Sequence, residues 1–218
     1  YGTFFQVTVA GGSYQEGLVS HLQGVPAGIH LNEEEIYFDL LQRKPGQGEL
    51  SSPRREPDIP VIYTGVNAAD TMTGFANEDY TNGTPLTILI PNLDRHFEHI
   101  EQYRVTNRTP RPGHASYASY QKYGVWDDSI GAGIFSGRYT STIVAAGAVA
   151  KKILSDHGIE IFSFVREAAG IPMADMEYGI IRDRVRAFKE IRRDMDPIYN
   201  LVYREGRIRP GMRFVEKI

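Results

Sequence analysis

"STIVAAGAVAKKILSDHG", Ser141 to Gly158, sets the fold class. It is a strong helix: no proline interrupts it, and alanine dominates. Its small residues predict close packing on a neighbour, and Gly158 suits the C-cap. The sequence on either side changes period. "TPLTILIPN" (Thr84–Asn92) reads as a buried strand, and "IEIFSFV" (Ile159–Val165) reads as a strand by composition and length. "TFFQVTVAGG" (Thr3–Gly12) is a first strand closed by glycines. "LVSHLQGVPAGIHL" (Leu18–Leu31) is a second strand running into a turn, and "VIYTGV" (Val61–Val66) is a further strand.

Two more helices are expected. In "NEEEIYFDLLQRKPG", Asn32 is a good N-cap, and Glu35 three places on completes a capping box. Ile36 and Leu40 then lie one turn apart, and Pro45–Gly46 ends the helix. Tyr178 to Met195 carries Ile181, Val185, Phe188 and Met195 near one stripe, and Asp196–Pro197 closes it. Residues 51–60, 67–83 and 96–111 read as polar loops, and "REGRIRPGMRFVEKI" as a turn with a final strand. Strands alternating irregularly with a few helices make the class α+β, or a layered sandwich.

Composition narrows the rest. The 218 residues suit one sizeable domain, or one domain with an extension, and the 41 % apolar content supplies a core. No apolar run approaches the roughly 20 residues that cross a bilayer. The first residues lack a signal peptide's pattern. Cysteine is absent, which excludes disulfides, thiol chemistry and cysteine-bound metal. A cytoplasmic protein is the default expectation, without membrane or nucleic-acid partners. From Ile181 to Ile218 there are 11 lysines and arginines against 6 acids, leaving 13 against 21 in the remainder. Because the basic residues are mixed with acids and apolar positions, the tail is expected to pack on the acidic body or on a partner subunit.

The candidate chemistry lies mostly in loops. In "RPGHASYASYQKYG" (Arg111–Gly124), His114 follows Pro112–Gly113. An imidazole moves protons near neutral pH; the alternative is a histidine that only caps a turn. Tyr117, Tyr120 and Tyr123 recur at a helical spacing that suits core or interface packing. Arg43 and Lys44, Arg54 and Arg55, and Arg111 all sit beside Gly/Pro loops. They bind phosphate or carboxylate, or they are solvated loop charges. "GAGIFSGRYTST" precedes the long helix, where an anion can bind, but it lacks the Lys-Ser/Thr of a P-loop. "HFEH" spaces His96 and His99 for one helix face without a matching third ligand, so no metal site is expected.

Taken in order, "QGVPAGIHL", "DLLQRKPGQG", "RREPD", "TGV", "TNGTPLTILIPNLD", "RPGHASYASYQKYG" and "VAAGAVAKKIL" resemble the successive landmarks of the chorismate synthase family. The resemblance covers about Phe4 to Gly158. It implies a β-α-β sandwich, shortened here, with a family-like domain over residues 1–174 and a helical basic extension over 175–218. It also implies a tetrameric homo-oligomer, reduced FMN as cofactor, and a phosphorylated shikimate-type substrate, 5-enolpyruvylshikimate 3-phosphate. The family reaction is an anti 1,4-elimination of phosphate that yields chorismate. By resemblance, His114 helps protonate or position the flavin, Arg43, Arg111 and Arg138 hold substrate anions, and Gly133 and Ser136 contact the cofactor.

The departures are specific. The family's "GESHG" reads "GGSYQ" at Gly11–Gln15, so Tyr14 stands at the acid–base histidine's position. A phenol titrating near pH 10 is a poor base at neutral pH. The three-arginine run reads "QRK" at Gln42–Lys44, and Glu49 reverses the charge of a nearby arginine. In "GAGIFSGRYT", Ile134, Phe135 and Tyr139 replace an arginine, a serine and a glutamate, while Ser136 and Arg138 persist. A non-catalytic ligand-binding or regulatory homologue, or an enzyme with a changed substrate, is therefore the alternative expectation.

Overall fold

The computed structural model describes residues 1–46, 51, 54–67, 78–95, 97–106, 109, 111–128 and 130–205. Its centre is an antiparallel sheet in the order β1-β2-β4-β3, with β1 Gln6–Gly11, β2 Gly17–Gln23, β3 Val61–Thr64 and β4 Leu86–Pro91. The register pairs Leu18 with Ile90, Ser20 with Ile88 and Leu22 with Leu86. Period-2 alternation puts all six side chains on one buried face. The helix announced by the alanine-rich stretch, α4 (Thr140–Ser155), lies on that face. Ala145, Ala146, Ala148 and Val149 let it approach closely, and the Ser20 hydroxyl donates to the Thr142 carbonyl at 2.7 Å.

The other helices of eight or more residues are α1 Glu33–Arg43, α2 Phe97–Thr106, α3 Ser116–Tyr123 and α5 Tyr178–Met195. The expected capping box is present in α1: Asn32 accepts from the Glu35 N–H, and Glu35 accepts from the Asn32 N–H. This helix has two apolar faces. Ile36 and Leu40 join the sheet–α4 core, while Tyr37 and Leu41 pack with Tyr199 in a second cluster. Of the two expected partners for the basic tail, the body of the chain is the one that α5 contacts. Arg192 donates to the Leu41 carbonyl at 3.3 Å, and Lys189 stands 3.7 Å from Asp39. The α+β class holds, built from a β layer and an α layer. Among the described residues no helix is long and apolar enough to cross a membrane.

Three local expectations are corrected. "IEIFSFV" forms no strand, because no described strand lies beside it to pair with. Its alternation serves side-chain packing instead: Phe162 stacks on Phe164 at 6.3 Å, and Phe164 meets Tyr178 at 6.4 Å. The 96–111 connection contains α2, a helix whose one-sided apolar signal is too weak to show in the sequence. Tyr117, Tyr120 and Tyr123 do lie on a helix, but on its exposed side and not in the core, and Ser119 is its buried residue. The final strand, Glu49, and most of the 67–83 insertion lie outside the described residues, as does His96.

Candidate ligand cleft

Five stretches of chain meet at the end of the sheet nearest Pro91. They enclose a cleft of about 670 Å³, within the usual size of small-molecule sites. Ser13 and Tyr14 come from the β1–β2 turn, Arg43 and Lys44 from the end of α1, and Arg54 from the following loop. Tyr103 comes from α2, and Gly131, Ser136 and Arg138 from the turns before α4.

The cations on this wall are anchored from behind by buried carboxylates. Asp58, fully buried, accepts from Arg43 Nη1 at 2.7 Å and from Arg138 Nη1. It holds a left-handed backbone with φ 55°, which is uncommon for a residue with a side chain. Glu56 Oε1 accepts from Arg54 Nε at 2.9 Å and Nη2 at 2.6 Å, and its other oxygen accepts from the Leu93 N–H at 2.9 Å. Arg138 also donates to Asn92 Oδ1 at 2.9 Å and to the Pro91 carbonyl at 3.2 Å, so it is tied to the end of β4. Lys44 is gripped by Asp196, which also accepts from the Tyr37 hydroxyl at 3.2 Å and caps the next helical turn through the Tyr199 N–H at 2.8 Å. Burial pulls the Arg43 pKa down, with Asp58 opposing that shift. Four cations thus meet three buried carboxylates, and Asp94 lines the same wall. The charge offered to a ligand is much smaller than the arginine count suggests.

Tyr14 packs over Gly131. A Cβ there would stand 2.3 Å from Tyr14 Cε2, so the glycine is required by the ring. The ring lies 5.4 Å from Tyr103, edge-on, and the Arg54 guanidinium sits 5.2 Å from its centroid. Burial, and next the neighbouring Tyr103, raise the Tyr14 pKa above its ordinary value. The phenol is therefore neutral at physiological pH: it can donate a hydrogen bond and is not a base.

The structure brings together Tyr14, Arg43, Ser136 and Arg138 on this cleft. His114, Arg111 and Gly133 are not among its lining residues. His114 Nδ1 accepts from the Ser116 N–H at 3.1 Å, which places the neutral imidazole's proton on Nε2, and its ring meets Phe135 at 6.5 Å. Arg111 lies over Tyr103 at 5.4 Å, one residue removed from the cleft. Gly133 is buried against Asp128, whose carbonyl oxygen would be 2.0 Å from a Cβ. Ser136 spends its oxygen accepting from the Arg138 N–H at 3.2 Å.

The glycine turn is therefore packed on Tyr14 and Asp128 rather than open as a phosphate cradle, and exposed Ile134 and Phe135 follow it. The described residues do not by themselves fit a flavin mononucleotide. Among them no group of three or more His, Cys, Asp or Glu could hold a metal.

Sequence reasoning missed Tyr103 and the anchoring roles of Glu56 and Asp58. Acids alternating with arginines in "RREPD" were the available signal for the latter. A second cleft, also about 670 Å³, lies between α1, α4 and α5, and Lys151, Lys152 and Lys189 face Glu35 and Asp39 across it.

The family model for chorismate synthase matches residues 5–200. The chorismate synthase of Acetivibrio thermocellus is 38 % identical over 185 residues, 78 % of this chain and 45 % of that protein. That of Chitinophaga pinensis is 39 % identical over 180 residues, 83 % and 49 % respectively. That of Aeropyrum pernix is 36 % identical over 199 residues, 90 % and 47 %. A crystal structure of chorismate synthase aligns with a TM-score of 0.42 at 25 % identity, covering 72 % of this chain and 36 % of the other. The chain spans about half the length of the curated relatives it matches.

Proposed function

The chain belongs to the chorismate synthase family, and from that premise we propose that its cleft binds a phosphorylated, shikimate-type cyclic acid, in the service of the family's lyase reaction. That reaction is the FMN-dependent anti 1,4-elimination of phosphate from 5-enolpyruvylshikimate 3-phosphate to chorismate, a step of aromatic amino acid biosynthesis. The observation that carries the reading is the convergence of Arg43, Lys44, Arg54 and Arg138 on one cleft of small-molecule size. A ligand with a phosphate and two carboxylates needs several fixed cations, and anchored guanidinium groups supply planar, two-pronged donors. In this reading Arg43 and Lys44 bind the anion. Arg138 shapes the wall from behind, and Arg111 and His114 belong to the cleft's outer edge. The family's reduced flavin would require contacts beyond the described residues. Cytoplasmic residence and a homo-oligomeric assembly accompany the proposal.

A second reading is a non-catalytic, ligand-binding subunit of the same family. It is favoured by Tyr14, a phenol held neutral where the resemblance expects an acid–base histidine. One experiment separates the two. Purified protein is titrated with FMN by flavin fluorescence, then reduced and supplied with 5-enolpyruvylshikimate 3-phosphate, and chorismate is assayed. Product supports the enzyme. Substrate binding by calorimetry without flavin binding or product supports the second reading. Absence of substrate binding refutes both.

A further inference from the structure

Two adjoining tyrosines, Tyr14 and Tyr103, line one wall of the cleft and are flanked by an arginine at each end: Arg54 on the cleft and Arg111 just outside it. Arg54 stands over Tyr14 at 5.2 Å, Tyr14 meets Tyr103 edge-on at 5.4 Å, and Arg111 stands over Tyr103 at 5.4 Å. Both ends of this stack are fixed. At the inner end Arg54 is bound by buried Glu56, and donates to the Ser13 carbonyl at 2.7 Å. At the outer end Arg111 opens the turn that carries His114: its carbonyl accepts from the His114 N–H at 3.2 Å, and its own N–H donates to Ser116 Oγ at 3.2 Å. Gly131 supports Tyr14 from below, with no room for a side chain between them.

We propose that Tyr103 is a positioning residue: with Tyr14 it forms an Arg–Tyr–Tyr–Arg stack that ties the His114 turn to the buried Glu56 anchor and so fixes the outer edge of the cleft. The two arginine contacts are made by the ring faces, while a side-chain hydrogen bond between Tyr14 and Tyr103 adds to their edge-on contact. A guanidinium is attracted to the face of an aromatic ring, and an aliphatic side chain of similar bulk lacks that attraction. The inference deepens the cleft reading and rests on it only for its effect on ligand affinity. It also assigns Tyr14 a task that a neutral phenol can perform, in place of proton transfer.

The test has one arm without ligand. In the full chain with isotope-labelled arginine, the δ-methylene protons of Arg54 and Arg111 are expected to be shifted upfield by ring currents in the wild type, in Tyr14→Phe and in Tyr103→Phe. Tyr103→Leu should return the Arg111 signals to ordinary positions, and Tyr14→Leu those of Arg54. Unshifted Arg111 signals in the wild type, or shifts that survive the leucine variants, overturn the stack. In the second arm, calorimetry with 5-enolpyruvylshikimate 3-phosphate should show about three- to ten-fold weaker binding for Tyr103→Leu, and wild-type binding within about two-fold for Tyr103→Phe. Equal weakening in both variants overturns the role of the ring. A wild type that binds no substrate refutes the functional proposal, and the resonance arm still decides the stack.

Discussion

The two clefts have the same volume and share α1, yet their ion pairs lie at different depths. Behind the first cleft, the carboxylates of Asp58 and Glu56 are fully buried, and their arginine partners are at most 19 % exposed. Around the second, Lys152 and Glu35 are 29 % and 35 % exposed, and Arg186 and Glu160 more so. A buried pair is costly to form and costlier to break, because removing one partner strands a charge away from water. A surface pair gains little and is screened by salt. The first cleft is thus a rigid frame with compensated charge. The second is a solvated groove between helices.

Four measurements can break or sharpen that contrast. The largest effect is expected from Asp58→Ala, which takes the shared buried carboxylate from Arg43 and leaves Arg138 only the carboxylate of Glu56, at 3.8 Å: unfolding in urea should show a loss of about 3–5 kcal/mol. A loss under about 1 kcal/mol would place the pair in the class of surface bridges. Next, Arg43→Ala should weaken binding of 5-enolpyruvylshikimate 3-phosphate by roughly ten- to a hundred-fold, as expected for a charged hydrogen bond worth about 1.5–3 kcal/mol. Lys151→Ala in the second cleft should leave that affinity unchanged; if both variants weaken it equally, the substrate site is not confined to the first cleft.

The third measurement concerns the cluster behind Lys44. Burial raises the pKa of Tyr37 and Tyr203, and that of Tyr199 is pushed up to about 12 by burial and by its bond to Glu34. Tyrosines whose folded pKa exceeds the unfolded value stabilise the fold fully below about pH 10. That stability should begin to drain away above pH 10, as the unfolded chain ionises first, with the share of Tyr199 lost by about pH 12. Denaturant unfolding at stepped alkaline pH, with tyrosinate absorbance followed in parallel, checks it. Flat stability across that window would mean the cluster is open to water. The smallest effect is expected from Lys152→Ala, at about 0.2–1 kcal/mol in low salt, vanishing near 1 M salt.

The sequence revealed the parts whose causes are local. The capping box of α1, the span of α5 and the strands β2 and β4 each depend on neighbours a few residues away, and each is found as expected. "IEIFSFV" was misread because a strand is completed by a partner, and its alternation was equally suited to packing on Tyr178. The cleft was legible as a set of arginines but not as a charge balance. That Asp58 would serve two arginines, one 15 residues before it and one 80 after, depends on the fold. Tyr103 was hidden for the same reason: nothing in the sequence of α2 points at Tyr14.

The grip of Asp196 on Lys44 spans 152 positions, while β1, β2, β4 and α4 have all been made by Ser155. On a ribosome, the sheet and its covering helix can therefore assemble while Lys44 still waits for its counter-ion. The pocket is completed late, when the chain closes a loop of that length, and long loops close slowly. A nascent chain is thus expected to acquire a stable core well before it acquires a finished binding surface.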